Sequence, residues 1–369
     1  MDAKPNPIRL PDGQIILLLA VEIDHHPPRM NPLSPRLRFL PAALAAALPF
    51  FLLPSLACGQ AAKAEPDVVR VGNLKLAAYG PITYMKVLAP KYNLKIEERI
   101  FAKGIDFPPA FIAGEVDVSA GGVDGAVAGR AGGAPMFIVA GFAEGGVRFV
   151  RQADQPNIKT IADLKGKKVG VTRGGAQELA LLWELKKNGL TPGDAPGKDD
   201  LQIIYLPYAD LNQAFQQKQL DAMCQSEPNA SKAVRAGYGV QLPRPKDPRL
   251  GEQGRAFSMS EKLYKEKPEL ALRIVKCLLE SVKTGMDQPA VMEKFVVQDL
   301  YKGQLSAEDY KDAVENTPLT FDFTVDHVQA TSDLMQEVGV GRMKTPQPAS
   351  EYVKTDLHDR AMRELGYAK

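Results

Sequence analysis

One junction in the chain combines residue types that could hold a small polar or anionic ligand. The cradle residues at this junction are Thr172, Arg173, Gly174, Gly175 and Gln177. They follow an apolar strand at 168–171 and open an amphipathic helix, where backbone N–H groups lack partners and the helix dipole favours negative charge. The glycines permit close approach, and the arginine could pair with a carboxylate, a sulfonate or nitrate. The alternative is a tight turn with a solvated arginine; the Gly-Lys-Ser/Thr ending of a nucleotide loop is absent.

Further candidate ligand contacts follow other strands, because ligands of open α/β sheets bind beyond the carboxyl ends of strands. They are Tyr79, Gly80, Gly122, Asp124, Phe142, Ser226 and Glu227. Tyr79 could stack on a ligand or belong to the core. Asp124 could accept a hydrogen bond from a ligand amine or cap the next helix, and Glu227 could meet a cationic or donating group or act as such a cap. These charges leave both an anion and a zwitterion open.

Strands that alternate with helices are expected to position these residues. The predicted strands lie at 68–74, 94–99, 116–120, 136–142, 168–171, 201–206, 222–225 and 257–259. Such alternation predicts parallel sheets wound by crossovers, and the pattern restarts at Lys168, so two lobes are expected. Residues 65–158 would form the first part of lobe I, 159–240 lobe II, and 241–369 the return to lobe I with C-terminal helices. No catalytic role is predicted for the segment 321–367.

Several segments resemble the solute-binding proteins of bacterial ABC importers. They are, in family order, VRVGNLKLAAYGP, FIAGEVDVSAGGVDGAVAGRAGG, IKTIADLKGKKVGV and LQIIYLPYADLNQAFQQKQLDAMCQSEP. The nearest group includes binders of aliphatic sulfonates, taurine, nitrate, bicarbonate and thiamine pyrimidine precursors. The resemblance implies an α/β, two-lobed periplasmic binding protein (type II) fold, each lobe a sheet flanked by helices, with hinges near 151–159 and 240–257. It also implies a monomer that captures a small polar or anionic solute between the lobes and delivers it to an ABC permease in the inner membrane.

The N-terminal region predicts export. Residues 39–57 are almost wholly apolar, follow two arginines and precede Ala62-Lys63-Ala64, which is typical of a signal peptide cleaved before Glu65. A membrane anchor is the alternative, and Cys58 ends the apolar run much as a lipoprotein box does, so a lipid anchor is also open. Met1 and Met30 are both candidate starts. Residues 65–369 carry as many basic as acidic side chains, which argues against a nucleic-acid surface. The predicted signal peptide implies a periplasmic location.

Catalysis is not expected from this composition. After residue 64 the only cysteines and histidines are Cys224, Cys277, His327 and His358, and their spacing matches no metal site or catalytic triad, so no cofactor is predicted. The fold family includes pyrimidine-precursor synthases, which rely on a cysteine cluster that this chain lacks. A periplasmic sensing subunit for a membrane receptor remains an alternative. The two cysteines are expected in different lobes, as buried free thiols.

Overall fold

The computed structural model describes residues 8–9, 15–16, 65–193, 199–243, 254–343 and 346–367. The chain divides into two compact units, residues 1–61 and 62–369. In the first unit, strands β1 (Ile8–Arg9) and β2 (Ile15–Ile16) pair antiparallel. The predicted signal segment, its cleavage site after Ala64, the alternative start Met30 and the lipid-anchor candidate Cys58 lie outside the described residues. Across the described ranges, none of the helices is both long and apolar enough to pass through a bilayer.

A first mixed sheet in the larger unit contains five strands. They are β3 (Asp67–Leu74), β4 (Leu94–Phe101), β5 (Val118–Gly122), β6 (Met136–Ala143) and β13 (Arg255–Ser260). Their spatial order is β4-β3-β5-β13-β6, with β3, β4 and β5 parallel. The last strand inserts antiparallel between β5 and β6, so the predicted return of the chain to this sheet is confirmed.

A second mixed sheet contains six strands. They are β7 (Val147–Gln152), β8 (Lys168–Val171), β9 (Pro192–Gly193), β10 (Leu201–Tyr205), β11 (Ala222–Ser226) and β12 (Gly239–Gln241), in the spatial order β12-β7-β11-β8-β10-β9. Strands β8 to β11 are parallel, whereas β7 runs antiparallel to both β11 and β12. The prediction of wholly parallel sheets was wrong for β7 and β13. Strand β7 enters the second sheet directly after β6 of the first sheet, without the crossover helix that parallel pairing requires.

The chain passes from the first sheet to the second between β6 and β7. Gly145 and Gly146 lie in this link with φ of +66° and +82°, a conformation that side chains strain, so two glycines allow a tight passage. The passage comes earlier than the predicted boundary between residues 158 and 159, because β7 pairs with β11 over residues 147–151 and already belongs to the second sheet. That the sheets move as lobes about a hinge stays a prediction.

Helices cover both sheets. Between the strands lie α1 (Gly80–Leu88), α2 (Phe107–Ile112), α3 (Val123–Ala131), α4 (Ala176–Lys187), α5 (Tyr208–Gln216) and α6 (Asn229–Arg235). After β13 come α7 (Glu261–Glu266), α8 (Pro268–Asp287), α9 (Pro289–Lys294), α10 (Ala307–Glu315), α11 (Val325–Val338), α12 (Ala349–Tyr352) and α13 (Asp356–Leu365). Short 3-10 turns lie at Ala77–Tyr79, Ala89–Tyr92, Gly104–Asp106, Ile161–Leu164 and Val340–Arg342, and a π-helical turn at Phe295–Leu300.

Helix α4 contributes to two hydrophobic cores. The sequence predicted one apolar face, but Leu179 and Trp183 join the core of the first sheet, whereas Leu181 and Leu185 join that of the second. Helix α11 packs against both α3 and α4. The pair α4 and α11 therefore ties the two sheets together.

The two cysteines of the described chain sit apart. Cys224 lies on β11 of the second sheet and Cys277 on α8 beside the first sheet. Both are buried free thiols, which confirms the prediction.

Candidate functional site

A cavity of about 680 Å³ opens between the helices of the two sheets. This volume lies within the range of small-molecule sites. Apolar groups on its wall include Ile105, Pro109, Ile112, Leu182, Tyr205 and Val340, and its charged groups are Asp124, Arg173, Glu178 and Arg342. Three parts of the chain build the wall, since the first sheet contributes α2 and α3, the second contributes α4, and the end of α11 closes a third side.

The chain itself occupies the predicted cradle. Glu178 lies in the first turn of α4, is 8% exposed, and its Oε2 accepts a hydrogen bond of 2.6 Å from the backbone N–H of Gly174. A negative charge is favourable at this end of a helix. A ligand anion aimed at the same N–H would have to displace this carboxylate.

The other cradle residues divide between the rim and the interior. Arg173 is exposed at the cavity, and its guanidinium lies 3.8 Å from the centre of the Tyr205 ring, in a cation–π contact. Thr172 is buried, and its hydroxyl donates to the Leu206 carbonyl at 2.9 Å, which joins the ends of β8 and β10. Gly175 precedes α4, and a side chain there would lie 3.1 Å from the hydroxyl of Tyr208.

Three polar side chains in and next to the cradle are joined by hydrogen bonds. Gln177 donates through Nε2 to the Ser226 hydroxyl, and its Oε1 accepts from the Tyr208 hydroxyl at 3.2 Å. Burial raises the pKa of Tyr208, so this phenol remains a neutral donor. The sequence predicted Gln177 and Ser226 but missed Tyr208. Its position at the start of α5, directly after β10, was the signal that could have found it.

Two buried donors beneath Asp124 have no hydrogen-bond partner in the described chain: the Tyr79 hydroxyl and Nε of Arg255. The Tyr79 ring meets Phe142 edge-to-face at 5.1 Å, and the Arg255 guanidinium lies 5.9 Å from its centre. Arg255 also donates from Nη2 to the Gly145 carbonyl at 3.1 Å. Burial raises the pKa of Tyr79. Buried polar atoms are nearly always paired, so these two donors are exceptions to the usual pairing.

Asp124 serves the helix and faces the cavity at once. It is the second residue of α3, is 4% exposed, and its carboxylate accepts from the backbone N–H groups of its own residue and Gly125. Burial raises its pKa from 3.8 to about 6; the charge of Arg255 opposes this rise and that of Glu178 adds to it. A side chain at Gly122 would overlap the Asp124 carboxylate, which explains the glycine before this helix.

Of the twelve predicted contacts, Asp124, Arg173 and Gly174 line the cavity wall, and the others lie away from it, among them Gly80 and Glu227. Gly80 begins α1, and a side chain there would overlap Val296. Glu227 is buried; its Oε1 pairs with Nη1 of Arg148 at 2.8 Å, and its Oε2 accepts from the Ser231 backbone at 3.0 Å. The cap-like interpretation of Glu227 matches this geometry. The ligand contacts predicted at both positions are not supported by their placement.

The wall at the end of α11 was not predicted. Met335, Val340 and Arg342 line the cavity there, and none of them was among the ligand contacts predicted from the sequence. Gly339 and Gly341 both have positive φ and turn the chain back toward α3. The spacing of these two glycines is the only local signal of such a turn.

Comparison with known proteins places this geometry in a family. The family pattern described as NMT1-like matches residues 62–296. A protein of Escherichia coli (strain K12), whose name gives aliphatic sulfonates as its ligands, is 30% identical over 211 residues, which are 56% of this chain and 63% of that protein. The chain thus spans less than two thirds of the length of this relative.

Solved structures share the fold. The alkanesulfonate-binding protein of Xanthomonas axonopodis pv. citri, bound to MOPS, superposes with a TM-score of 0.67 at 20% identity, over 79% of this chain and all of that one. The periplasmic nitrate-binding protein of Synechocystis PCC 6803 superposes with a TM-score of 0.66 at 17% identity, over 82% of this chain and 90% of that one. The expected two-lobed periplasmic binding protein fold is confirmed. Because the family pattern matches more than half of this chain, the chain belongs to the NMT1-like family.

Proposed function

We propose that this protein is the extracytoplasmic solute-binding component of an ABC importer. It captures a small polar solute between its two lobes and delivers it to a permease in the inner membrane. The observation that carries the proposal is the cavity of about 680 Å³, whose wall combines both sheets with the end of α11 and holds charges of both signs. The relatives named above, binders of sulfonates and nitrate, support the same role.

Binding would act through closure of the cleft. Asp124 reaches the cavity from the first sheet, whereas Arg173 and Glu178 reach it from the second. A solute that contacts both sides is fully satisfied only in the closed form, so it shifts an open–closed equilibrium toward closure. The closed form is the one that the permease would recognise.

Transport without catalysis fits the residues available. Cys224 is buried, and its Sγ lies 3.3 Å from the Gln177 carbonyl, which leaves it unexposed to a substrate. Two of the relatives named above are binding proteins for sulfonates by name. We place the mature protein in the periplasm as a monomer, in line with the predicted export signal.

The test is a ligand screen followed by a measurement of shape. Thermal-shift assays with sulfonates, nitrate, bicarbonate, amino acids, amines and pyrimidines should reveal a compound that raises the melting temperature, because a ligand of the native state alone stabilises it. Small-angle X-ray scattering should then show a smaller radius of gyration with that compound. If no compound of any of these classes raises the melting temperature, the proposal is contradicted. Co-purification with a receptor kinase in place of a permease would assign the same cleft to sensing.

A further inference from the structure

The charges of the cavity are arranged by depth. Asp124 is 4% exposed and Glu178 is 8% exposed, whereas Arg173 and Arg342 are exposed at the rim. A buried charge interacts more strongly with a ligand than a solvated one, because less water screens it. Among the residues that line the cavity, the two buried charges are therefore both carboxylates, one from each side of the cleft, and Arg255 faces Asp124 from outside this lining.

The helix ends that could bind an oxyanion are already satisfied. Glu178 accepts a hydrogen bond from the Gly174 N–H at the start of α4, and Asp124 accepts hydrogen bonds from two backbone N–H groups at the start of α3. An oxyanion would need to displace one carboxylate and lie beside the other. Two like charges beside each other are unfavourable in a buried site.

We propose that the solute carries a cationic nitrogen on an apolar body, with the nitrogen between Asp124 and Glu178 and the body along Ile105, Ile112, Leu182 and Val340. This inference rests on the proposed function and specifies the class of its ligand. A cationic nitrogen neutralises two carboxylates that otherwise repel each other across the cleft, so its binding favours closure.

Tyr79 does not line the cavity, but it interacts with the carboxyl of Asp124. The Tyr79 hydroxyl is buried without a hydrogen-bond partner in the described chain, and its charge interaction with Asp124 places it near the same carboxylate. A group bound at Asp124 would give this phenol a neighbour with which to pair. The apolar wall accounts for the rest of the ligand, since Ile105 and Ile112 are 42% and 63% exposed beside the cavity. An apolar body would remove these two side chains from water.

Three probes with one apolar body test the inference: 2-phenylethylammonium, 2-phenylethanesulfonate and the neutral 2-phenylethanol. Calorimetry with the full mature chain at pH 8 should show that the ammonium probe binds at least about tenfold more tightly than the other two. Asp124→Asn and Glu178→Gln keep an oxygen acceptor for the backbone N–H groups but remove the charge. Each should weaken the ammonium probe by about ten- to a hundredfold, the usual effect of a lost charge-assisted hydrogen bond.

The pH dependence gives a second readout. The groups that face Asp124 are Arg255 on β13, Glu178 on α4, Tyr79 before α1 and Tyr208 on α5. The pKa of Asp124 is about 6, so this carboxyl is mostly protonated at pH 5. Affinity for the ammonium probe should therefore fall about tenfold from pH 8 to pH 5, and Asp124→Asn should abolish this dependence.

A matched control is Glu97→Gln on β4, the same loss of charge at a half-exposed carboxylate that lies outside the cavity. It should leave the affinity of every probe unchanged. Tighter binding of the sulfonate probe would overturn the inference and leave the solute-binding function standing. An ammonium affinity that survives both amide substitutions, or that rises toward pH 5, would also overturn it. So would a failure of all three probes, and the broader ligand screen then decides the proposed function separately.

Discussion

Gly174 and Ile105 lie against each other across the cleft. A β-carbon on Gly174 would lie 2.7 Å from Cγ2 of Ile105, nearer than such atoms approach in folded proteins, and the backbone of Gly174 has φ of +74°. Ile105 belongs to the side of the first sheet and Gly174 to the second. The absence of a side chain at position 174 thus allows these two sides to lie against each other.

Gly174→Ala should lower the free energy of unfolding for two reasons, backbone strain and contact with Ile105. Gly166→Ala is the matched control, since Gly166 has φ of +77° but no atom near its missing β-carbon. The control should lose about 1–2 kcal/mol from strain alone. Gly174→Ala should lose more, and Ile105→Ala in the same chain should recover the excess. Equal losses in urea unfolding of the two single variants would show that the contact with Ile105 does not matter.

Glu227→Ala should lower the free energy of unfolding by about 3–5 kcal/mol, because it leaves the largely buried Arg148 without its carboxylate and with only the neutral acceptors Ser231 and Gln241. Arg235→Ala is the contrast, since its ion pair with Asp309 is far more exposed and should be worth about 0–1 kcal/mol. Urea unfolding of both variants is the measurement. A loss of ligand affinity without a loss of stability in Glu227→Ala would instead restore the ligand contact predicted from the sequence.

Asp124 should make the unliganded protein less stable as pH rises from about 4 to 6. Burial raises its folded pKa from 3.8 to about 6, so the folded state binds the proton more tightly, and this contribution is lost as pH rises through that window. The change should be on the order of 3 kcal/mol. Measured against the wild type, Asp124→Asn should therefore gain stability from pH 4 to pH 7.

Asp163 supplies the opposite slope as a control for that titration. Backbone N–H groups of Lys159 and Thr160 hold its pKa below the ordinary value, so its contribution is present above pH 3.8 and is lost as the pH falls. Asp163→Asn should show no gain relative to the wild type between pH 4 and 7. A flat difference for Asp124→Asn over the same range would contradict a buried, proton-binding carboxyl.

Trp183 should report closure of the cleft by fluorescence. It is the single tryptophan of the chain, lies on α4, and is buried in the core of the first sheet. The indole is already out of water in this structure, so an open form in which α4 separates from the first core should emit at longer wavelength, and solute binding should move that emission to shorter wavelength. Trp183→Phe should abolish the signal. An unchanged emission with a solute that reduces the radius of gyration would show that α4 stays packed during closure.

Strands such as β6 could be predicted from a continuous apolar run, because strands buried on both faces of a sheet keep such runs. Strand β7 was missed because Arg148 and Arg151 interrupt its apolar residues. Arg148 forms an ion pair with Glu227, which is 79 positions away along the chain. A local pattern carries no sign of such a partner.

The candidate site was only partly predictable for a similar reason. Strand ends identified Asp124 and Arg173 correctly as cavity residues, since their position follows from local chain order. Glu178, four residues beyond Gly174, looks like an ordinary helix residue until the turn before it is folded. Arg255 depends on the antiparallel insertion of β13, which places it between strands that are distant in sequence.

The cavity wall at the end of α11 lies outside the part of the chain that matches the family pattern. The family pattern ends at residue 296, whereas Met335, Val340 and Arg342 lie beyond it. Substitutions in this short turn would reshape the space for the solute without altering the part of the chain by which its relatives are recognised. Two members that match the family pattern equally well could therefore carry different cargo, and a chimera that exchanges residues 335–343 is the direct route to a new specificity.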